Sequence, residues 1–117
     1  MSDFPTYCPR TSAKLWREMS EYLSRDTETS QWLSDLLAST TRSFIRNGIA
    51  DDQALVRNKA GWISEDGCYS TCDACLIDVD GDTYIMSIMT SMPWSDRSSE
   101  LVAAIAKTFF DTRAALA

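Results

Sequence analysis

The groups able to do chemistry are few. The sequence carries four cysteines, Cys8, Cys68, Cys72 and Cys75, and no histidine. The spacing Cys68-x3-Cys72-x2-Cys75 would suit an iron–sulfur cluster, or zinc with Cys8 as a fourth thiolate. Strand geometry argues against both. If residues 71–79 form a strand, Cys72 and Cys75 lie an odd number of residues apart and point to opposite faces. Two such thiolates do not share one ion. The expectation is structural thiols, with no metal and no cofactor. Four cysteines allow three disulfide pairings, and spacing does not choose among them. The absence of histidine removes the commonest general base and any Ser-His-Asp or Cys-His mechanism within these residues.

Asp78, Asp80 and Asp82 surround Gly81. A calcium loop places its glycine sixth, after alternate acidic ligands, and here the glycine comes too early. A solvated hairpin tip is the better reading. Thr11-Ser12-Ala13-Lys14 and Ser95-Asp96-Arg97 approach two serine-hydrolase elements, S-x-x-K and S-D-N. Thr11 stands where the nucleophilic serine belongs, and Arg97 cannot replace an asparagine amide. Both segments read as helix caps. No catalytic residue is therefore assigned.

The elements that must position any site follow from pattern. The 117 residues fit one domain, 44% hydrophobic and 24% charged, which are ordinary globular values. A helical part is expected over 11–47. Thr11 or Ser12 caps a first helix with the stripe Leu15, Trp16, Met19, Tyr22 and Leu23. Ser30 caps a second with Trp32, Leu33, Leu36 and Leu37. A helical turn at 41–46 buries Phe44 and Ile45, and Asn47-Gly48 stops it through positive φ. A sheet is expected over 55–90, with strands 55–63, 71–79 and 83–90. Asp80-Gly81 makes the last two antiparallel. A closing helix over 97–116, capped by Asp96 or Ser98, buries Leu101, Val102, Ile105, Phe109 and Leu116. The fold class is α+β, a three-stranded antiparallel sheet flanked by helices on both faces. The tryptophans belong to the core or its rim.

Within that frame, Lys59-Ala60-Gly61 on the first strand resembles the K-[ST]-G element of penicillin-recognising serine hydrolases, the serine β-lactamases and DD-peptidases. There the lysine adds positive charge to a cleft whose substrate is a carboxylate, the hydroxyl binds that carboxylate, and the glycine lets substrate backbone lie against the strand. Four further segments resemble the same family in order. Pro9-Arg10-Thr11-Ser12-Ala13 leads into a helix with Trp16. Leu36-Leu37-Ala38-Ser39-Thr40-Thr41, with Ile45 and Gly48, precedes the lysine strand. Asp73-Ala74-Cys75-Leu76-Ile77 is similar to a D-x-G-I-V strand. Gly81–Met86 through Thr90 is similar to the next strand, before a long closing helix.

The resemblance implies the later part of a class A-like domain whose chemistry is acyl transfer from a serine nucleophile. It also shows departures. Ala60 replaces the hydroxyl residue, Cys75 replaces the glycine of D-x-G, and no S-x-x-K, S-D-N or catalytic glutamate loop corresponds. In the family those lie upstream. The resemblance implies a remnant substrate-binding set, Lys59, Ala60 and Gly61, without catalysis by these residues alone. A dimerising or partner-binding module on the same fold is the alternative, and a small cysteine-metal protein a second. Residues 83–90 are expected at an open sheet edge that recruits a second copy or a complementary N-terminal half-domain. Net charge of −6 disfavours nucleic acid and anionic membrane. No apolar run is long enough to span a bilayer. No export signal is read at MSDFPTYCPR, which gives a cytoplasm with reduced thiols as the default, although the resembled family usually works outside the cytoplasmic membrane.

Overall fold

The computed structural model describes residues 7–116, so the first six residues of the expected lead-in over 1–10 lie outside the described residues. The element order is α1 (Pro9–Leu23), α2 (Glu28–Ala38), a 3-10 turn (Arg46–Gly48), β1 (Leu55–Glu65), β2 (Cys68–Val79), β3 (Asp82–Thr90), α3 (Asp96–Asp111) and a last 3-10 turn (Arg113–Leu116). The sheet runs β1-β2-β3, antiparallel throughout, as expected for the α+β class. Asp80 and Gly81 both take positive φ, 53° and 81°, the backbone that a tight hairpin needs. Asp66-Gly67 makes the other turn, with Gly67 at φ 74°. Pairing continues to Glu65↔Cys68, so β1 and β2 are longer than expected and Cys68 lies within the strand.

The helix starts differ from expectation for a common reason: each cap lies just before the residues that the pattern singles out. Pro9, with its φ already helical, opens α1, and Cys8 is its N-cap. Thr11 and Ser12 are therefore inside the helix. Thr27 caps α2, and Ser30 is the reciprocal member of a capping box. Ser95 caps α3 in the same way with Ser98. The Ser98 hydroxyl lies 3.2 Å from Thr71 Oγ1, which donates to the Met92 carbonyl at 2.9 Å. This contact ties the start of α3 to β2. The helix ends at Asp111, short of 116, where the Thr112 hydroxyl donates to the Thr108 carbonyl.

Helices cover both faces of the sheet. One core holds Trp16, Leu23, Leu37, Ala74 and Leu76, from α1, α2 and β2. The other holds Phe44, Ile45, Val56, Ala60, Cys75, Ile77, Val79, Ile88, Val102, Ala106 and Phe110. Cys72 lines a cavity on the α1 face and Cys75 sits in the α3 core, so the two thiols occupy opposite faces. Six residues expected in buried stripes are exposed: Leu15, Trp32, Leu36, Leu101, Phe109 and Leu116. Each helix has a second apolar face that a three-stranded sheet does not reach. The α3 stripe that does pack is Val102, Ala106 and Phe110, with Ile105 partly buried.

Gly48 corrects another expectation. Neither Asn47 nor Gly48 has positive φ. A Cβ on Gly48 would lie 2.1 Å from the Ala103 carbonyl oxygen. The glycine is there because the loop backbone touches α3.

Candidate functional site

The site is built on β1, an edge strand. Lys59 and Gly61 face the α1 side, while Asn58, Ala60 and Trp62 face the α3 side, as strand alternation requires. Lys59 and Gly61 border a cavity of about 590 Å³ between α1 and the sheet, with Trp16, Met19, Cys72 and Met89 among its lining. Lys59 Nζ donates to the Ala60 carbonyl, and no ion pair neutralises it among the described residues. Nothing lies within 4 Å of a Cβ built on Gly61, so that face of the strand is open. Ala60 is 4% exposed and packs in the α3 core. The triplet is thus one strand segment with two residues facing the cavity and the middle one buried behind it.

Behind Lys59 lies a polar node centred on Asp73, the first residue of the segment similar to D-x-G-I-V. Asp73 Oδ2 accepts from the Phe44 and Ile45 backbone N–H groups, both at 2.9 Å, and from the Ser43 hydroxyl at 3.0 Å. Its Oδ1 accepts from Asn58 Nδ2 at 2.9 Å. Asn58 Oδ1 in turn accepts from Thr40 Oγ1 and from Arg46 at 3.0 Å, and Arg46 also donates to the carbonyls of Thr40 and Val56. Asp73 therefore takes the two backbone donors that a helical turn at 41–46 would have used internally. That is why the turn forms only at Arg46–Gly48. The sequence signal was an aspartate in an apolar strand, Asp73 beside Ala74–Ile77, because a buried charge must find partners.

Burial raises the Asp73 carboxyl above its ordinary range, against the opposing pull of these donors. Burial, reinforced by the Asp73 charge, also pushes the Cys75 thiol upward, which keeps it protonated and unreactive. Cys8 shifts the other way: the Thr11 hydroxyl, 3.2 Å from its sulfur, favours the thiolate. Among the described residues no group of three or more His, Cys, Asp or Glu side chains is placed to hold a metal ion. Thr11–Lys14 and Ser95–Arg97 fall at the starts of α1 and α3; Ser12 of the first segment lines the cavity with Lys59, whereas no residue of Ser95–Arg97 does.

No helix among the described residues is long and apolar enough to cross a membrane. No curated protein matches the sequence. Two solved structures do, both with a TM-score of 0.69 and 20% identity: PBP-A, and a point mutant of PBP-A described as an acyl-enzyme complex with penicillin G. Each match covers 88% of this chain and 38% of the other, so the chain spans well under half the length of these relatives. They share its fold, a β-lactamase/penicillin-binding-protein fold of which this is a partial domain. The family model Beta-lactamase2, described as the β-lactamase enzyme family, matches residues 2–112. With nearly the whole chain inside that match, the chain belongs to the β-lactamase enzyme family.

Proposed function

We propose that this chain is the later part of a serine β-lactamase/DD-peptidase-like domain that carries a degenerate K-T-G strand and does not catalyse acyl transfer alone. One observation carries the reading. Lys59 and Gly61 border an open cavity on an edge strand, while Ala60 supplies no hydroxyl for a substrate carboxylate. A nucleophile would need a serine beside a base at that cavity. Ser12, Ser70 and Ser87 are its serines. Ser12 is buried inside α1, Ser70 contacts Cys72 at 2.8 Å, and the Ser87 hydroxyl is buried without a partner. None of the three hydrogen-bonds to Lys59, whose Nζ donates to the Ala60 carbonyl. The chain is incubated with a fluorescent penicillin and run on a denaturing gel. No covalent label is expected, and a labelled serine would overturn the reading.

The same reading includes a partner: a complementary N-terminal half-domain or a second copy of this chain, joined through the β3 edge. Two features support it. β3 ends the sheet order, with Ile85 exposed on its α1-side face and Phe109 and Leu116 exposed on the α3 side. Unpaired strand groups next to apolar surface favour strand addition. An interaction module without enzymatic parentage in function is the alternative that this edge also suits.

A further inference from the structure

A second cleft, independent of the K-A-G reading, lies between the 40–47 loop and the first turn of α3. Its volume is about 680 Å³, and Arg42, Arg46, Trp94, Ser95, Asp96 and Ser99 are among its lining. Arg42 defines it. The guanidinium carbon sits 4.4 Å from the Trp94 ring centroid and 5.6 Å from that of Trp62. The two indoles are 4.8 Å apart and inclined at 38°. Trp62 lies on the face of β1 opposite Lys59.

Stacking on indoles holds a planar cation through its face, which leaves the N–H donors at its edge for other partners. No carboxylate takes them. The ion pairs among the described residues are Arg57–Asp78, Lys107–Asp111 and Arg113–Asp80. Asp96 lines the same cleft and belongs to none of these pairs. Arg46 is already committed to Thr40, Val56 and Asn58. A positive and a negative side chain thus border one space without neutralising each other, beside exposed indole surface.

We propose that this cleft binds a small zwitterion of the α-amino-acid class. The carboxylate meets Arg42, the ammonium meets Asp96, and an apolar side chain lies against Trp94, which Trp62 backs at 4.8 Å. A simple anion meets repulsion from Asp96, and a simple cation meets repulsion from Arg42. The pair of charges therefore selects a ligand that carries both.

The test is a titration of the ¹⁵N-labelled full chain with phenylalanine, following the indole N–H signals. Trp62 and Trp94 are expected to shift saturably, and the buried Trp16 to stay unchanged. N-acetylphenylalanine, without the ammonium, and phenylalaninamide, without the carboxylate, should each bind at least about tenfold more weakly, the scale of one lost charge-assisted contact. Arg42→Gln and Asp96→Asn should each lose about as much. Should Arg42→Gln disturb the loop, Asp96→Asn at an exposed helix start still decides the matter. No saturable shift, equal binding by either capped analogue, or wild-type affinity in Asp96→Asn would overturn the proposal.

Discussion

The two faces of β1 between residues 58 and 62 are built to different standards. On the α3 side, Asn58 joins the Asp73 node with both its amide nitrogen and its oxygen bonded, and Ala60 fills the core. On the α1 side, Lys59 has only a neighbouring carbonyl, Gly61 faces open space, and a large cavity stands in front of them. The difference teaches how one strand can be held firmly from one side and left open on the other. The contacts that hold the lysine strand in place are satisfied on the α3 side, while the α1 side leaves Lys59 and Gly61 facing open space.

The largest expected effect comes from breaking the complete side. Asp73→Ala strands two backbone N–H groups, the Asn58 amide and the Ser43 hydroxyl in a buried site. A loss of roughly 3–5 kcal/mol is expected by urea denaturation, since each unsatisfied buried donor costs about 1–3 kcal/mol and the loop relaxes to recover part. Lys59→Ala, on the open side, should change stability by less than about 0.5 kcal/mol. Comparable losses from the two would erase the contrast between the faces.

Gly48→Ala comes next. The added methyl meets the Ala103 carbonyl, and neither backbone can yield without moving α3 or the loop. About 1–3 kcal/mol of destabilisation is expected, in the range of overpacked cores. Gly61→Ala, with free space around its Cβ, serves as the matched control.

A smaller effect sharpens the electrostatics of the node. Burial raises the Asp73 carboxyl in the folded chain. A raised acid binds its proton more tightly when folded, so its contribution is fully present below the unfolded value and is lost as pH rises through the folded value. The stability advantage of the wild type over Asp73→Asn should therefore narrow from about pH 4, near the unfolded carboxyl value, towards neutrality. An advantage that widens over the same interval would mean that the four donors outweigh burial.

The smallest effect on stability is expected at the sheet edge. Ile85 is exposed on β3, so Ile85→Lys should cost less than about 0.5 kcal/mol while placing a charge on the edge. Proline at Ile88 is a poorer probe, because Ile88 lies in the α3-side core.

The sheet was readable because its signals are local: Asp80-Gly81 and Asp66-Gly67 punctuate three apolar runs. That Lys59-Ala60-Gly61 lies on an edge strand was readable because the segment is contiguous. The Asp73 node was not, because it joins Thr40–Arg46, Asn58 and Asp73 through contacts that exist only once the loop packs on the sheet. Gly48 misled for a related reason: a glycine before a strand suggests a turn, whereas its role is a contact with α3. The helix stripes misled most usefully. Trp32, Leu36, Leu101 and Phe109 carry the spacing of buried residues and are exposed. Their pattern marks apolar helix faces that the three-stranded sheet does not reach.

The proposed association through the β3 edge is tested directly by light scattering over a concentration series. The chain alone should form a dimer or higher oligomer, and Ile85→Lys should shift it towards monomer without unfolding it. A well-folded wild-type monomer up to about 100 μM, well above the micromolar range of moderate affinities, would contradict the account.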